Sequence, residues 1–182
     1  MTTILGLSGS LRRASFNSGL LRAAAELAPA GTTITQGSIR DVPLYDADLE
    51  AGAGIPQAVQ TLQAQLRDAD GLLLVTPEYN NGIPGVFKNA IDWMSRGDGL
   101  ALFRGKPVAV IGASPGGFGT TLAQNDWLPV LRTLGTIPWF EGRMLVSRAG
   151  GLFDAEGNLT DERTRAALAD FVAGFAAAIK AG

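Results

Sequence analysis

Residues Ser8-Gly9-Ser10-Leu11-Arg12-Arg13-Ala14-Ser15-Phe16-Asn17-Ser18 gather small hydroxyls, an asparagine and two arginines within one short stretch. An apolar run ends just before it, and helical periodicity begins at Phe16. The stretch is therefore a loop opening onto a helix N-terminus, where exposed amides and the helix dipole favour an anion. A phosphate monoester dianion would find Ser10, Ser15, Asn17 and Ser18 as hydrogen-bond donors and Arg12 as countercharge. Alternation of polar and apolar residues gives Ser15 and Asn17 to the phosphate and turns Phe16 to the core. Arg13 reads as a solvated neighbour. Two known phosphate loops do not match. Walker A needs a Gly-Lys-Ser/Thr ending, and no lysine occurs before Lys88. The dinucleotide fingerprint needs G-x-G-x-x-G, whereas Gly6 and Gly9 stand alone.

Two further loops carry unusual chemistry. Thr76-Pro77-Glu78-Tyr79-Asn80-Asn81-Gly82-Ile83-Pro84-Gly85 has the residues of a tight turn, with an acid and an aromatic in the middle. A flat heteroaromatic ring accounts for both: backbone groups meet its polar edge while Tyr79 covers a face. Ala113-Ser114-Pro115-Gly116-Gly117-Phe118-Gly119-Thr120 has successive glycines that let amides approach a ligand closely. Its Gly112-Ala113-Ser114-Pro115-Gly116 also fits G-x-S-x-G, the nucleophile elbow of serine hydrolases. That elbow needs a histidine base, and the chain has no histidine and no cysteine. Imidazole bases, thiol nucleophiles, disulfides and the usual zinc sites are excluded together. Chemistry here falls to hydroxyls, amides, charged side chains or a borrowed cofactor.

Five apolar runs position these loops: Thr3–Leu7, Thr32–Ile39, Gly71–Thr76, Pro107–Ala113 and Ile137–Val146. The third and fourth are nearly continuous in apolar residues, as in parallel strands covered on both faces. The second and fifth mix in polar residues and suit sheet edges. Between the strands lie helical spacings. Phe16, Leu20, Ala24 and Leu27 form the first, and Val59, Leu62, Leu66 and Ala69 the second, with Pro56 at its start. Phe87, Ala90, Ile91 and Met94 form the third, Trp127, Leu131 and Leu134 the fourth. Leu168, Val172, Phe175 and Ile179 form the last, opened by Thr160 with Asp161 and Glu162 in its first turn. Ala51-Gly52-Ala53-Gly54 reads as a flexible connection. Alternation of this kind predicts right-handed crossovers and one α/β domain over residues 1–182. The architecture is three-layer and flavodoxin-like, a five-stranded parallel sheet of order 2-1-3-4-5 with helices on both faces. All three loops then leave the carboxyl ends of adjacent central strands and converge on one crevice.

The chain has 182 residues, 46% hydrophobic and 18% charged, with a net charge of −2. No broad basic face for nucleic acid exists, and nothing favours an anionic membrane. The N-terminal residues lack a basic region followed by an apolar core, and no apolar run approaches a membrane span, so the expected location is the cytoplasm.

Ser8-Gly9-Ser10-Leu11-Arg12 with Ser15 and Asn17, then Pro77-Glu78-Tyr79-Asn80, Pro84-Gly85 and Lys88-Asn89-Ala90-Ile91-Asp92-Trp93, resemble the NADPH-dependent FMN reductase family, which includes bacterial quinone, chromate and azo reductases. The similarity runs from about residue 3 to residue 147. It implies that Ser10 through Asn17 and Ser18 hold the FMN phosphate. Pro77, Glu78, Tyr79 and Asn80 would line the isoalloxazine, and Ser114, Gly116 and Gly117 would meet its pyrimidine side. It also implies a homodimer or homotetramer with the flavin near the subunit boundary. One stretch departs: Leu122 and Pro129 stand where relatives often carry arginines, while Gln124 remains. Pro129 is expected to kink the fourth helix or delay its start. Asp92 reads as a local brace and Trp93 as an interface residue, neither as catalytic.

A flavin removes the need for a catalytic side chain or metal, because the cofactor carries the chemistry. The resemblance implies hydride transfer from NADPH or NADH to FMN, then electron transfer to a quinone, azo, ferric or metal-oxyanion acceptor, with ping-pong kinetics. Amides at the Gly116-Gly117 turn would stabilise negative charge on the reduced ring. Two other readings compete. An electron carrier without nicotinamide activity would be strongly acidic, unlike this chain. A phosphate-ligand domain without redox chemistry would stay colourless in the presence of FMN. A surplus of apolar residues in the third and fourth helices, Phe87, Trp93, Met94 and Trp127, points to a subunit interface that roofs the flavin.

Overall fold

The computed structural model describes residues 1–182. Strands β1 (Thr2–Ser8), β2 (Thr32–Gly37), β3 (Gly71–Val75), β4 (Pro107–Ala113), β5 (Ile137–Pro138) and β6 (Met144–Val146) form one parallel sheet. The order is β2-β1-β3-β4-β5, with β6 also pairing β4. The flavodoxin-like order expected from the sequence is therefore present. The expected fifth strand is not one strand but two. β5 pairs with Pro107 and Val108, and β6 with Ile111, Gly112 and Ala113. Between them the chain leaves the ladder after Trp139, whose amide still donates to the Val108 carbonyl at 2.8 Å and whose ring packs on Phe171 and Phe175 with centroids 5.0 and 5.5 Å away.

The helices are α1 (Phe16–Glu26), α2 (Ala47–Ala53), α3 (Gln57–Asp68), α4 (Gly85–Met94), α5 (Gly99–Phe103), α6 (Thr121–Leu134) and α7 (Glu162–Ala181). Side chains alternate across the central strands and fill two cores. Ile4, Leu73, Val75, Ala109 and Ile111 pack under α1 and α7. Leu5, Leu7, Leu72, Leu74 and Val108 pack under α3, α4, α5 and α6. No helix is long and apolar enough to cross a membrane.

Several expectations need correction. Phe87, Trp93, Met94 and Trp127 are fully buried within the monomer, so they are core and supply no interface surplus. Phe87 and Trp127 meet edge to face at 5.0 Å, and the Trp93 indole donates to the Pro43 carbonyl at 3.0 Å. Asp92 is not a backbone brace, since its carboxylate pairs with Lys88 one turn away at 2.7 Å. Ala51 to Ala53 are not a flexible connection but the last turn of α2, whose Asp46 accepts from the Asp48 amide. Pro129 lies inside α6 without delaying it, because the helix already begins at Thr121. The cap of α7 is Asp161, one residue later than Thr160. Its carboxylate accepts from the Thr164 amide at 2.8 Å and hydroxyl at 2.7 Å.

Those bonds favour the charged form and hold the Asp161 carboxyl below its ordinary pKa. Bonds from Asn158, backbone first and then side chain, do the same for Asp154. A carboxyl with a depressed folded-state pKa adds stability above its unfolded value and loses it as pH falls through the folded one. Chemical denaturation should therefore show stability falling on acidification below about pH 4. Asp161→Asn with Asp154→Asn should flatten that fall. An acid limb identical to that of the unaltered chain would show that these bonds do not govern it.

Candidate functional site

The loops at the carboxyl ends of β1, β3 and β4 enclose a cleft of about 370 Å³. Ser10, Arg12, Ser15, Phe16, Asn17, Pro77, Glu78, Tyr79, Ala113, Ser114 and Pro115 line it. Its size lies within the range of small-molecule sites.

Ser15 starts α1 with extended backbone, φ −79° and ψ 130°, and its hydroxyl accepts from the Asn17 and Ser18 amides at 3.2 and 3.3 Å. The amides of Arg13, Ala14, Ser15 and Phe16 have no acceptor within the protein. Such a run of free donors at a helix N-terminus suits an anion. The Arg12 guanidinium lies 5.0 Å from the centre of the Phe16 ring, a cation–π contact at the cleft wall. Phe16 is half-buried and packs on Phe153 at 5.0 Å between centroids.

Asn17 has a different role from the one its type suggests. It is buried, with its amide donating to the Ala113 carbonyl at 2.9 Å and its oxygen accepting from the Ala113 amide at 2.9 Å. The carboxamide thus continues the ladder beyond the end of β4 and ties the first loop to the third. Ser18 does not line the cleft; its hydroxyl shares a hydrogen bond with Ser8 at 3.1 Å. The loop is also backed from behind. A Cβ on Gly19 would lie 1.8 Å from the Gly157 carbonyl, and Arg22 binds that carbonyl at 3.0 Å.

On the second loop Tyr79 is half-exposed at the cleft wall. Tyr79 and Gly82 exchange backbone hydrogen bonds at 3.1 and 3.0 Å around Asn80 and Asn81, whose φ angles are 49° and 64°. Both central residues are left-handed, a turn that Asn tolerates better than most residues. The Asn-Asn-Gly signal for it stood in the sequence. The Asn80 and Asn81 amides have no partner, although Asn80 does not line the cleft. Glu78 lines the cleft, but one carboxylate oxygen accepts from the Leu122 and Ala123 amides at 2.8 and 3.0 Å. That oxygen is committed to the start of α6 and not to a ring.

On the third loop Gly116 and Gly117 lie outside the cleft lining. The Gly116 amide donates to the Ser114 hydroxyl at 3.1 Å, which leaves Gly117 as the free amide of the pair. Sequence reading missed Arg148, a left-handed residue at φ 50° whose amide binds the Gly116 carbonyl at 2.9 Å. No spacing signal marks that contact.

Fold and cleft together define a flavodoxin-like protein with a cleft and a run of free helix-terminal amides on its carboxyl rim. The chain belongs to the NADPH-dependent FMN reductase family, whose model matches residues 2–151. It is 45% identical over 162 residues to an NAD(P)H-dependent FMN reductase of Pseudomonas aeruginosa, covering 89% of this chain and 86% of that protein. It is 41% identical over 172 residues to a 2-hydroxy-1,4-benzoquinone reductase of a Burkholderia species, covering 94% and 93%. FerB, a flavoenzyme NAD(P)H:(acceptor) oxidoreductase of Paracoccus denitrificans, superposes with a TM-score of 0.87 at 36% identity, covering 100% of this chain and 98% of FerB. The residues present fit the FMN that the family uses. Free amides, two hydroxyls and a guanidinium at one helix end match a phosphate dianion, and the apolar Pro77, Tyr79 and Pro115 beside them match a flat ring.

Gly19→Ala should push the turn at Gly157 away from α1 and loosen the first loop. FMN affinity measured by fluorescence quenching should fall, and Gly157→Ala should fall with it. Unchanged affinity in both variants would show that the turn at Gly157 does not support the first loop.

Proposed function

We propose that this single domain, residues 1–182, is an NAD(P)H oxidoreductase that holds FMN in the carboxyl-rim cleft and reduces a small acceptor. The run of free amides from Arg13 to Phe16 beside Arg12, Ser10 and Ser15 carries the reading. The donor is NADPH or NADH. The relatives' names favour a quinone acceptor, with azo, ferric and oxyanion acceptors as further candidates. FMN supplies hydride acceptance from the nicotinamide and electron delivery to the acceptor. The chain's own residues bind and orient it. Ser10, Arg12, Ser15 and the free amides hold the phosphate, while Asn17 fixes the loop that carries them. Pro77 and Tyr79 would flank the ring and Ser114 would face its pyrimidine side, while Asn80 and Gly117, outside the cleft lining, would reach it only through their free amides. A reductase fed by a nicotinamide pool works in the cytoplasm.

Donor and acceptor sharing one ring face gives ping-pong kinetics. A homodimer or homotetramer completes the pocket. Tyr79, Val86, Phe118 and Leu122, which follow the carboxyl ends of β3 and β4, expose much of their apolar surface, with Phe118 at 87%.

The absorbance spectrum of the purified protein, followed by chromatography of the released cofactor, tests the core of the reading. FMN is expected, and recovery of FAD as the native flavin would overturn it. Arg12 is exposed and without an ion pair, so Arg12→Ala should leave the fold intact. Removing a charged hydrogen-bond partner costs about 1.5–3 kcal/mol, so FMN affinity should drop at least ~tenfold. Unchanged affinity would move the phosphate elsewhere. Light scattering during turnover checks the assembly: a fully active monomer of 18.9 kDa would refute it.

A further inference from the structure

We propose that Glu78 is a positioning residue for flavin binding, clamping the β3–α4 loop onto the first turn of α6 so that the two loops flanking the ring stay in register. The inference rests on the cleft being an FMN site.

A helix N-terminus is ordinarily capped by the residue that starts it. Thr120 stands at that position in α6 and is of the right type, yet its side chain makes no capping bond. Its hydroxyl instead accepts from the Gln124 amide at 3.1 Å. The cap arrives from Glu78, 44 residues earlier, at 2.8 Å to Leu122 and 3.0 Å to Ala123. A carboxylate there meets both the unpaired amides and the positive end of the helix dipole.

The clamp matters because of what else holds each loop. Tyr79 and Gly82 close the turn on themselves, and the Thr76 hydroxyl on Pro77 is a bond to an adjacent residue. Within residues 77–83, the Glu78 carboxylate makes the hydrogen bonds that reach beyond the loop. Gly82 lies close to α6 as well, where an added Cβ would sit 3.1 Å from the Asp126 carboxylate. The Gly-rich loop runs directly into the capped turn. One carboxylate therefore joins the loop carrying Tyr79 to the loop carrying Ser114 and Gly117.

The test uses Glu78→Ala and Glu78→Gln in the full chain, with FMN titrated by fluorescence quenching. Hydrogen exchange is followed at Leu122 and Ala123, and the visible circular dichroism of the bound flavin is recorded. Glu78→Ala should weaken FMN binding at least ~tenfold, the loss of two charge-assisted bonds. It should also speed exchange at Leu122 and Ala123 and change the flavin dichroism, while β1 and β3 amides stay protected. Glu78→Gln keeps an acceptor oxygen, though a weaker one, and should recover most of the affinity and the native dichroism. Unaltered affinity and dichroism in Glu78→Ala would overturn the proposal. Loss of protection throughout the sheet in both variants would also overturn it, by making Glu78 a folding residue. If the unaltered chain binds no FMN, the site reading fails, whereas the exchange at Leu122 and Ala123 still reports the clamp.

Discussion

Two hydrogen bonds between the Asn17 carboxamide and the Ala113 backbone span 96 residues and hold the first loop against the end of β4. Everything on the carboxyl rim depends on contacts of this kind. A parallel sheet ends its strands together, and each loop beyond the last ladder bond leaves backbone donors and acceptors to be satisfied or left for a ligand. This protein does both. Asn17 and Glu78 fasten loops to scaffold through side chains, while the amides from Arg13 to Phe16 stay free. A buried carboxamide with both ends paired is rigid and specific, because breaking either bond strands a buried polar atom. The loops are thereby fixed by two side chains that line the cleft yet spend their hydrogen bonds on the protein itself.

The central strands were legible because both faces of β3 and β4 are buried, and such strands read as uninterrupted apolar runs. Strand order followed from the alternation with helices. The same logic could not say which aromatic belonged inside. Trp93 and Trp127 obey helical spacing whether they face the sheet or a second subunit. The structure buries Trp93 because α2 and its approach cover α4, where Asn89 binds the Pro43 carbonyl at 2.8 Å beside the Trp93 indole, and buries Trp127 against Phe87 in the core under the sheet. The broken fifth strand was hidden too. The Trp139 amide makes the last bond of β5 to β4, while its ring packs on Phe171 and Phe175 of a helix some thirty positions later, and local propensity carries no trace of that.

Site residues divide the same way. Residue type and loop position brought Ser10, Arg12, Ser15, Pro77, Tyr79 and Ser114 to one cleft. What type could not reveal was the direction of a polar side chain with two possible employers. Asn17, Ser18 and Glu78 are of the right chemistry for a ligand, and each carries a hydrogen bond to another part of the protein. The relevant partners lie 96, 10 and 44 residues away in sequence. Only tertiary structure chooses between ligand and scaffold when both want the same donor or acceptor.

Absence of histidine and cysteine narrows the division of labour further. No side chain of this chain can serve as a neutral-pH imidazole base or a thiolate, so the redox chemistry falls to what it binds. Binding then becomes the main task of the fold, and stability and function pull against each other at the rim. Free amides lower the stability of the empty protein, since each is a hydrogen bond forgone inside the chain. A ligand that fills them binds the folded state alone and returns that stability by mass action. The clamps at Asn17 and Glu78, together with the turn at Gly157 behind α1, let the loops keep their donors vacant without collapsing onto them. Preorganised donors need no rearrangement when the anion arrives, which is why their positions are fixed by the scaffold before any ligand is present.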